Sequence, residues 1–125
     1  EGGVTAVSGI GNEGTLRLKS AACQSDTRPI LQGCKCQACV NGYTRARLHG
    51  MLKKNKAAGV ALALAVRFVT MHNVCYMQDL TKRMRQAIME ETHESFCRGF
   101  LNQLFPSGNV PQWAQDALTA AGILI

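Results

Sequence analysis

Three cysteines within six residues, Cys34, Cys36 and Cys39, followed at a distance by His72, constrain this chain more than any other feature. The Cys-x-Cys-x-x-Cys spacing lets one knuckle present three thiolates to a single ion. An imidazole from a distant helix would complete a Cys3His shell, the composition of a closed structural zinc site. Such a site staples two remote segments together. Two other readings compete. In a secreted chain the six cysteines (23, 34, 36, 39, 75 and 97) could pair as disulfides, although neighbours in a Cys-x-Cys step cannot bridge each other without strain. An iron–sulfur cluster could instead recruit Cys75 or Cys97. His72 is the weakest member, because an isolated helical histidine is more often a surface or hydrogen-bonded residue, and Cys75 lies one helical turn further on. The spacing favours structural Zn2+ on Cys34, Cys36, Cys39 and His72.

A chain of 125 residues suffices for one domain, yet a domain near this size buries only about two thirds of its unfolded surface, so a metal clamp would matter to stability. The start shows no cleavable signal pattern, and the apolar run 57–66 is too short to cross a bilayer. The expectation is an intracellular, cytoplasmic protein without a membrane span, with nuclear or mitochondrial association allowed, in which thiols stay reduced and bind metal. The net charge of +6 is concentrated: residues 27–78 contain no Asp or Glu, while Arg28, Lys35, Arg45, Arg47, Lys53, Lys54, Lys56 and Arg67 lie there. A basic field around the presumed metal site suits a polyanion such as nucleic acid, and a solvated face without a partner is the bland alternative.

Along the chain, residues 1–14 are glycine-rich and read as a loop or a tail cut from something larger. Thr15 to Lys19 alternates apolar and polar side chains, the rhythm of a half-buried strand, and Asp26 to Pro29 reads as a turn. The spacing predicts a helix over 43–56, capped by Thr44, with Leu48, Met51 and Leu52 on an apolar stripe and a basic outer face. Gly59 interrupts it. The run 60–71 fits a buried helix or a strand, because Val66, Phe68 and Val69 are β-branched or aromatic. From Thr70 the helical pattern returns, placing His72 in the first turns of a new helix whose Met77, Leu80, Met84 and Ile88 read as core. Phe96, Phe100 and Leu104 predict a further helix stopped by Pro106, and a last helix opens near Asn109 and Pro111 and ends at Gly122. The fold class is mainly α with a short β segment.

These residues together resemble a specific family, the tRNA-guanine transglycosylases or queuine tRNA-ribosyltransferases, in their C-terminal zinc-binding region. The resemblance runs from about Gly14 to the end. Gly14 to Lys19 and Asp26 to Pro29 are similar to the strand and turn before the zinc motif, and Cys34, Cys36 and Cys39 match its Cys-x-Cys-x-x-Cys. Arg45-Ala46 and Leu48-His49 match a following Arg-Ala-aromatic-Leu-His stretch, and His72-Asn73 match the fourth ligand. The closing stretch from Pro111 to Ile123 resembles the eukaryotic catalytic branch. Arg47 stands where the family usually has an aromatic, Gly50 where it has a second histidine, and the stretch between Cys39 and His72 is longer than usual.

The resemblance implies the helical, zinc-binding end of a (β/α)8-barrel pentosyltransferase that exchanges wobble guanine for queuine, or a related deazaguanine, in tRNA. Residues 1–33 would be the end of the barrel region, 34–105 the zinc-binding helical subdomain and 106–125 a C-terminal helix. The family's nucleophilic and acid/base aspartates belong to the barrel. None of Asp26, Asp79 and Asp116 matches their context, so this chain alone is expected to be inactive. Its implied work is positional. Arg45, Arg47, Lys53 and Lys54 would grip the tRNA anticodon stem-loop, and a related non-catalytic subunit or a second copy would be the dimer partner. The alternatives are the non-catalytic partner subunit itself and a stand-alone zinc-stabilised RNA-binding module.

Overall fold

A computed structural model of the chain describes residues 15–53 and 59–124. Among the described residues, five α-helices follow a short 3-10 turn at Ala21–Cys23: α1 (Gln37–Val40), α2 (Arg45–Lys53), α3 (Gly59–Met89), α4 (His93–Leu104) and α5 (Gln112–Ala120). The 31-residue α3 is the spine, packing against α1, α2 and α4. Lys54, Lys56 and the proposed end of the α2 helix lie outside the described residues.

The core gathers Leu18, Cys23 and Ile30 from the N-terminal segment, Leu48 from α2 and Ala65 from α3. Leu48 is fully buried, which for a leucine contributes about 1.5–3 kcal/mol. The Tyr43 and Phe68 rings close the core's edge at 4.0 Å between centroids. α2 starts where predicted. The Thr44 hydroxyl oxygen accepts from the Arg47 amide at 3.1 Å, the side-chain cap that a helix start needs for its unpaired N–H groups. The 26–29 turn supplies more: the Arg28 and Asp26 carbonyls accept from the Arg45 and Ala46 amides at 3.0 and 2.8 Å. The β-strand expected at Thr15 to Lys19 does not form, and among the described residues there is no strand. Its alternation is nonetheless obeyed, since Leu18 is buried while Thr15, Arg17 and Lys19 are exposed. Period two records which side faces inward, whereas a strand also needs a neighbour's backbone groups, and none of the described residues provides a ladder.

The reading of 60–71 as a separate element is also corrected. Helix α3 runs unbroken from Gly59, so His72 sits near its middle rather than in its first turns. This makes α3 long and apolar enough, by length and composition, to cross a bilayer, which the run 57–66 is not. Its middle nevertheless turns His72 into the cysteine cluster, and its second half carries Asp79, Lys82, Arg83 and Arg85. Such charge is costly within a hydrocarbon core. A second correction concerns the methionines. Met77, Met84 and Ile88 are not core in this chain, being 54%, 38% and 58% exposed. With Val60, Ala63, Arg67, Thr70, Val74 and Thr81 they form one exposed row at alternating three- and four-residue steps.

Glycine closes both ends of the knuckle. Gly33 and Gly42 have φ of 81° and 76°, a region where a Cβ is strained. The first lets the Cys34 amide turn back onto the Leu31 carbonyl at 3.2 Å, and the second lets the Tyr43 amide reach the Ala38 carbonyl at 3.0 Å. At the other end of the chain, Phe96 and Phe100 stack along α4, and Ile123 tucks in behind α5.

Candidate metal centre

The knuckle is organised by its own sulfurs. The Cys34 Sγ accepts from the Cys36 amide at 3.4 Å. Cys36 caps α1, its Sγ accepting from the Cys39 amide at 3.4 Å. These N–H groups point at the atoms on which negative charge would reside after deprotonation, an arrangement that orients and tunes a thiolate shell. His72 comes across from α3. Its Nδ1 lies 3.6 Å from Cys34 Sγ, 3.4 Å from Cys36 Sγ and 3.5 Å from Cys39 Sγ.

All four donor atoms lie within 4.8 Å of one another. In a tetrahedral site with metal–sulfur bonds of about 2.3 Å and a metal–nitrogen bond of about 2.1 Å, each sulfur–nitrogen edge is about 3.6 Å. The three observed separations match that edge, so the residues fit one ion at their centre. The donor set could therefore hold a metal ion. Cys75 and Cys97 stand outside it, and all six cysteines are free thiols, so neither the disulfide reading nor the replacement of His72 by Cys75 describes this structure. Cys23 fills the core with its thiol donating to the Arg17 carbonyl at 3.4 Å, and Cys97 lies beside His93 on α4.

Burial shapes the electrostatics. Desolvation pushes the Cys34 thiol up to about 12 and raises Cys39 as well, while it lowers His72. Without a cation, burial therefore favours the uncharged forms of Cys34, Cys39 and His72. A dication reverses the balance, because the thiolates it binds must first lose their protons.

The basic residues fall into different surroundings. Arg45, expected on a nucleic-acid-facing surface, is fully buried. Its guanidinium donates to the Pro29 and Ile30 carbonyls at 3.1 Å each and to Asp26 Oδ2 at 3.2 Å. It is a strut between α2 and the 26–30 turn, and it cannot reach a phosphate. Asp26, also gripped by Arg28, is held well below the usual carboxylate range, first by the Arg28 hydrogen bond. The signal for this strut was present: Arg45 stands three residues before Leu48, on the inward stripe of α2. Sequence reasoning also missed the role of His49, whose Nδ1 meets the Leu18 carbonyl at 2.7 Å and ties α2 to the N-terminal segment. Arg47 is exposed, with its guanidinium 4.1 Å over the Tyr43 ring. Lys53 is exposed, and Lys54 lies outside the described residues.

Comparison with known proteins converges on one family. The family model described as queuine tRNA-ribosyltransferase matches residues 4–106. The queuine tRNA-ribosyltransferase of a Thermus thermophilus strain is 34% identical over 110 residues, covering 88% of this chain and 26% of that relative. The queuine tRNA-ribosyltransferase of Xylella fastidiosa (strain M23) is 39% identical over 87 residues, covering 70% and 22%. The queuine tRNA-ribosyltransferase catalytic subunit of Caenorhabditis briggsae is 32% identical over 123 residues, covering 87% and 29%. This chain thus spans about a quarter of the length of the relatives it matches. With the match covering most of the chain and the four donors gathered at ligand spacing, the chain belongs to the queuine tRNA-ribosyltransferase family.

Proposed function

We propose that this chain is the zinc-stabilised, tRNA-positioning and dimerising portion of a tRNA-guanine transglycosylase that exchanges wobble guanine for queuine. The observation that carries the reading is the Cys34, Cys36, Cys39 and His72 cluster at tetrahedral spacing in a member of this family. Zinc would act structurally, since four protein donors complete its shell and leave no position for water. The ion would clamp the knuckle to α3 and so fix α2, which packs on α3, beside it. No pair of aspartates among the described residues suits the family's glycosyl-transfer chemistry. Asp26 is engaged by Arg28 and Arg45, Asp79 by Arg83, and Asp116 by Gln112. Catalysis therefore falls to the barrel that precedes this region in the family, with the described residues 15–33 leading out of it.

On this reading the exposed side of α2, with Arg47 and Lys53, faces the phosphates of the anticodon stem-loop in the cytoplasm, and Lys54, outside the described residues, would join them. The exposed row along α3, with a step of three and four residues, is the seam for a second copy or a related subunit. Both parts are tested in the full-length enzyme. Lys53→Gln with Lys54→Gln should reduce the salt dependence of tRNA binding by about one unit of slope per lost phosphate contact, and Met77→Lys should shift sedimentation from dimer to monomer. An unchanged slope would leave α2 as a solvated face, and an unchanged dimer would put the seam elsewhere.

A further inference from the structure

A cavity of about 490 Å³ opens between the loop before the knuckle and the middle of α3, with Gln103 of α4 at its edge. Two ammonium groups border it, Lys35 from the knuckle and Lys82 from α3, together with Arg83. The one carboxylate among the described lining residues, Asp79, is taken by Arg83 at 2.9 Å. Lys35 and Lys82 are both exposed and make no hydrogen bond or ion pair among the described residues. The cavity thus concentrates positive charge that the described residues do not neutralise. It also sits on the clamp: Cys34 lines it, and Lys35 lies between two metal donors while Lys82 shares a helix with His72. Whatever holds the knuckle to α3 therefore sets the spacing of the two ammonium groups.

We propose that this cavity, rather than the side of α2 alone, is a phosphate-binding groove for RNA, with Lys35 and Lys82 each contacting a backbone phosphate of the bound stem-loop. The inference rests on the tRNA-positioning reading above and adds to it a second basic surface. Ammonium groups carried on two different elements suit a polyanion that spans both, and the cavity's lining of glutamine amides offers further hydrogen bonds to sugar and phosphate oxygens.

The test uses the full-length, metal-loaded protein and an anticodon stem-loop RNA titrated across a range of salt. Lys35→Gln with Lys82→Gln should weaken binding at least tenfold at low salt and reduce the slope of log affinity against log salt by about 1.5–2, the loss of two phosphate contacts. Lys82→Gln alone, which leaves the knuckle untouched, should produce about half that change. Zinc content and melting temperature should stay at the wild-type values. If the wild type binds RNA with a steep salt slope and both variants retain it, the groove is not a phosphate site while the tRNA-positioning reading stands. If the variants melt lower with an unchanged slope, the cavity is covered by the protein's own chain and the proposal fails. If the wild type shows no salt-dependent binding at all, both readings fall.

Discussion

Replacing Arg45 by methionine removes the buried strut while keeping most of its volume. The guanidinium is fully excluded from solvent and donates to two main-chain carbonyls and to Asp26. Breaking a buried pair by removing one partner costs about 3–5 kcal/mol, and a buried carbonyl left without a donor costs about 1–3 kcal/mol. Asp26 keeps its second cation, Arg28, at 2.8 Å, which places the loss toward the lower end, about 3–4 kcal/mol. At about 4 °C per kcal/mol for a chain of this size, melting should fall by roughly 12–16 °C. Urea unfolding of the metal-loaded protein measures the difference, with zinc content followed alongside. Arg47→Met provides the contrast, because an exposed guanidinium over Tyr43 is worth about 0.5–1 kcal/mol. If the two variants lose similar amounts, both below about 1 kcal/mol, then Arg45 is not the strut described and its charge is free to act elsewhere.

Cys36→Ser should abolish metal binding and the folded circular-dichroism signal, whereas Cys75→Ser should keep about one zinc per chain by elemental analysis; loss of metal in the second variant would make Cys75 a ligand. Zinc uptake at pH 7 should release at least two protons per ion. Burial lifts Cys34 to about 12 and also raises Cys39, so both thiols are protonated there in the metal-free protein, while His72, lowered by burial, is neutral and contributes none. Apparent affinity should therefore climb by at least about a hundredfold for each unit of rising pH near neutrality. Calorimetry in buffers of different protonation enthalpy counts the protons, and a count near zero would mean that the thiolates are already formed without the ion.

The metal centre was legible because its chemistry is written in residue types and spacing: few arrangements other than one shared ion use three cysteines in six residues and a remote histidine. The helices at 45–53, 93–104 and 112–120 were legible from apolar steps and caps. What was not legible depends on partners distant in sequence. The β-branched and aromatic residues at 66–69 read equally as strand, and packing against α1 and α2 settles them as helix. Thr15 to Lys19 carries the alternation of a strand without a neighbour among the described residues to pair with. Arg45 reads as one more surface cation until the 26–30 turn folds over it. Met77, Met84 and Ile88 have a core rhythm, yet their side of α3 faces outward in this chain. Periodicity shows that a face is apolar and not what covers it.

X-ray absorption of the zinc-loaded protein, combined with metal analysis, tests the central claim most directly. The account predicts one zinc per chain with three sulfurs at about 2.3 Å and one nitrogen at about 2.1 Å, the nitrogen signal vanishing in His72→Ala. A four-sulfur shell, an iron-containing cluster, or a shell of nitrogen and oxygen would contradict it.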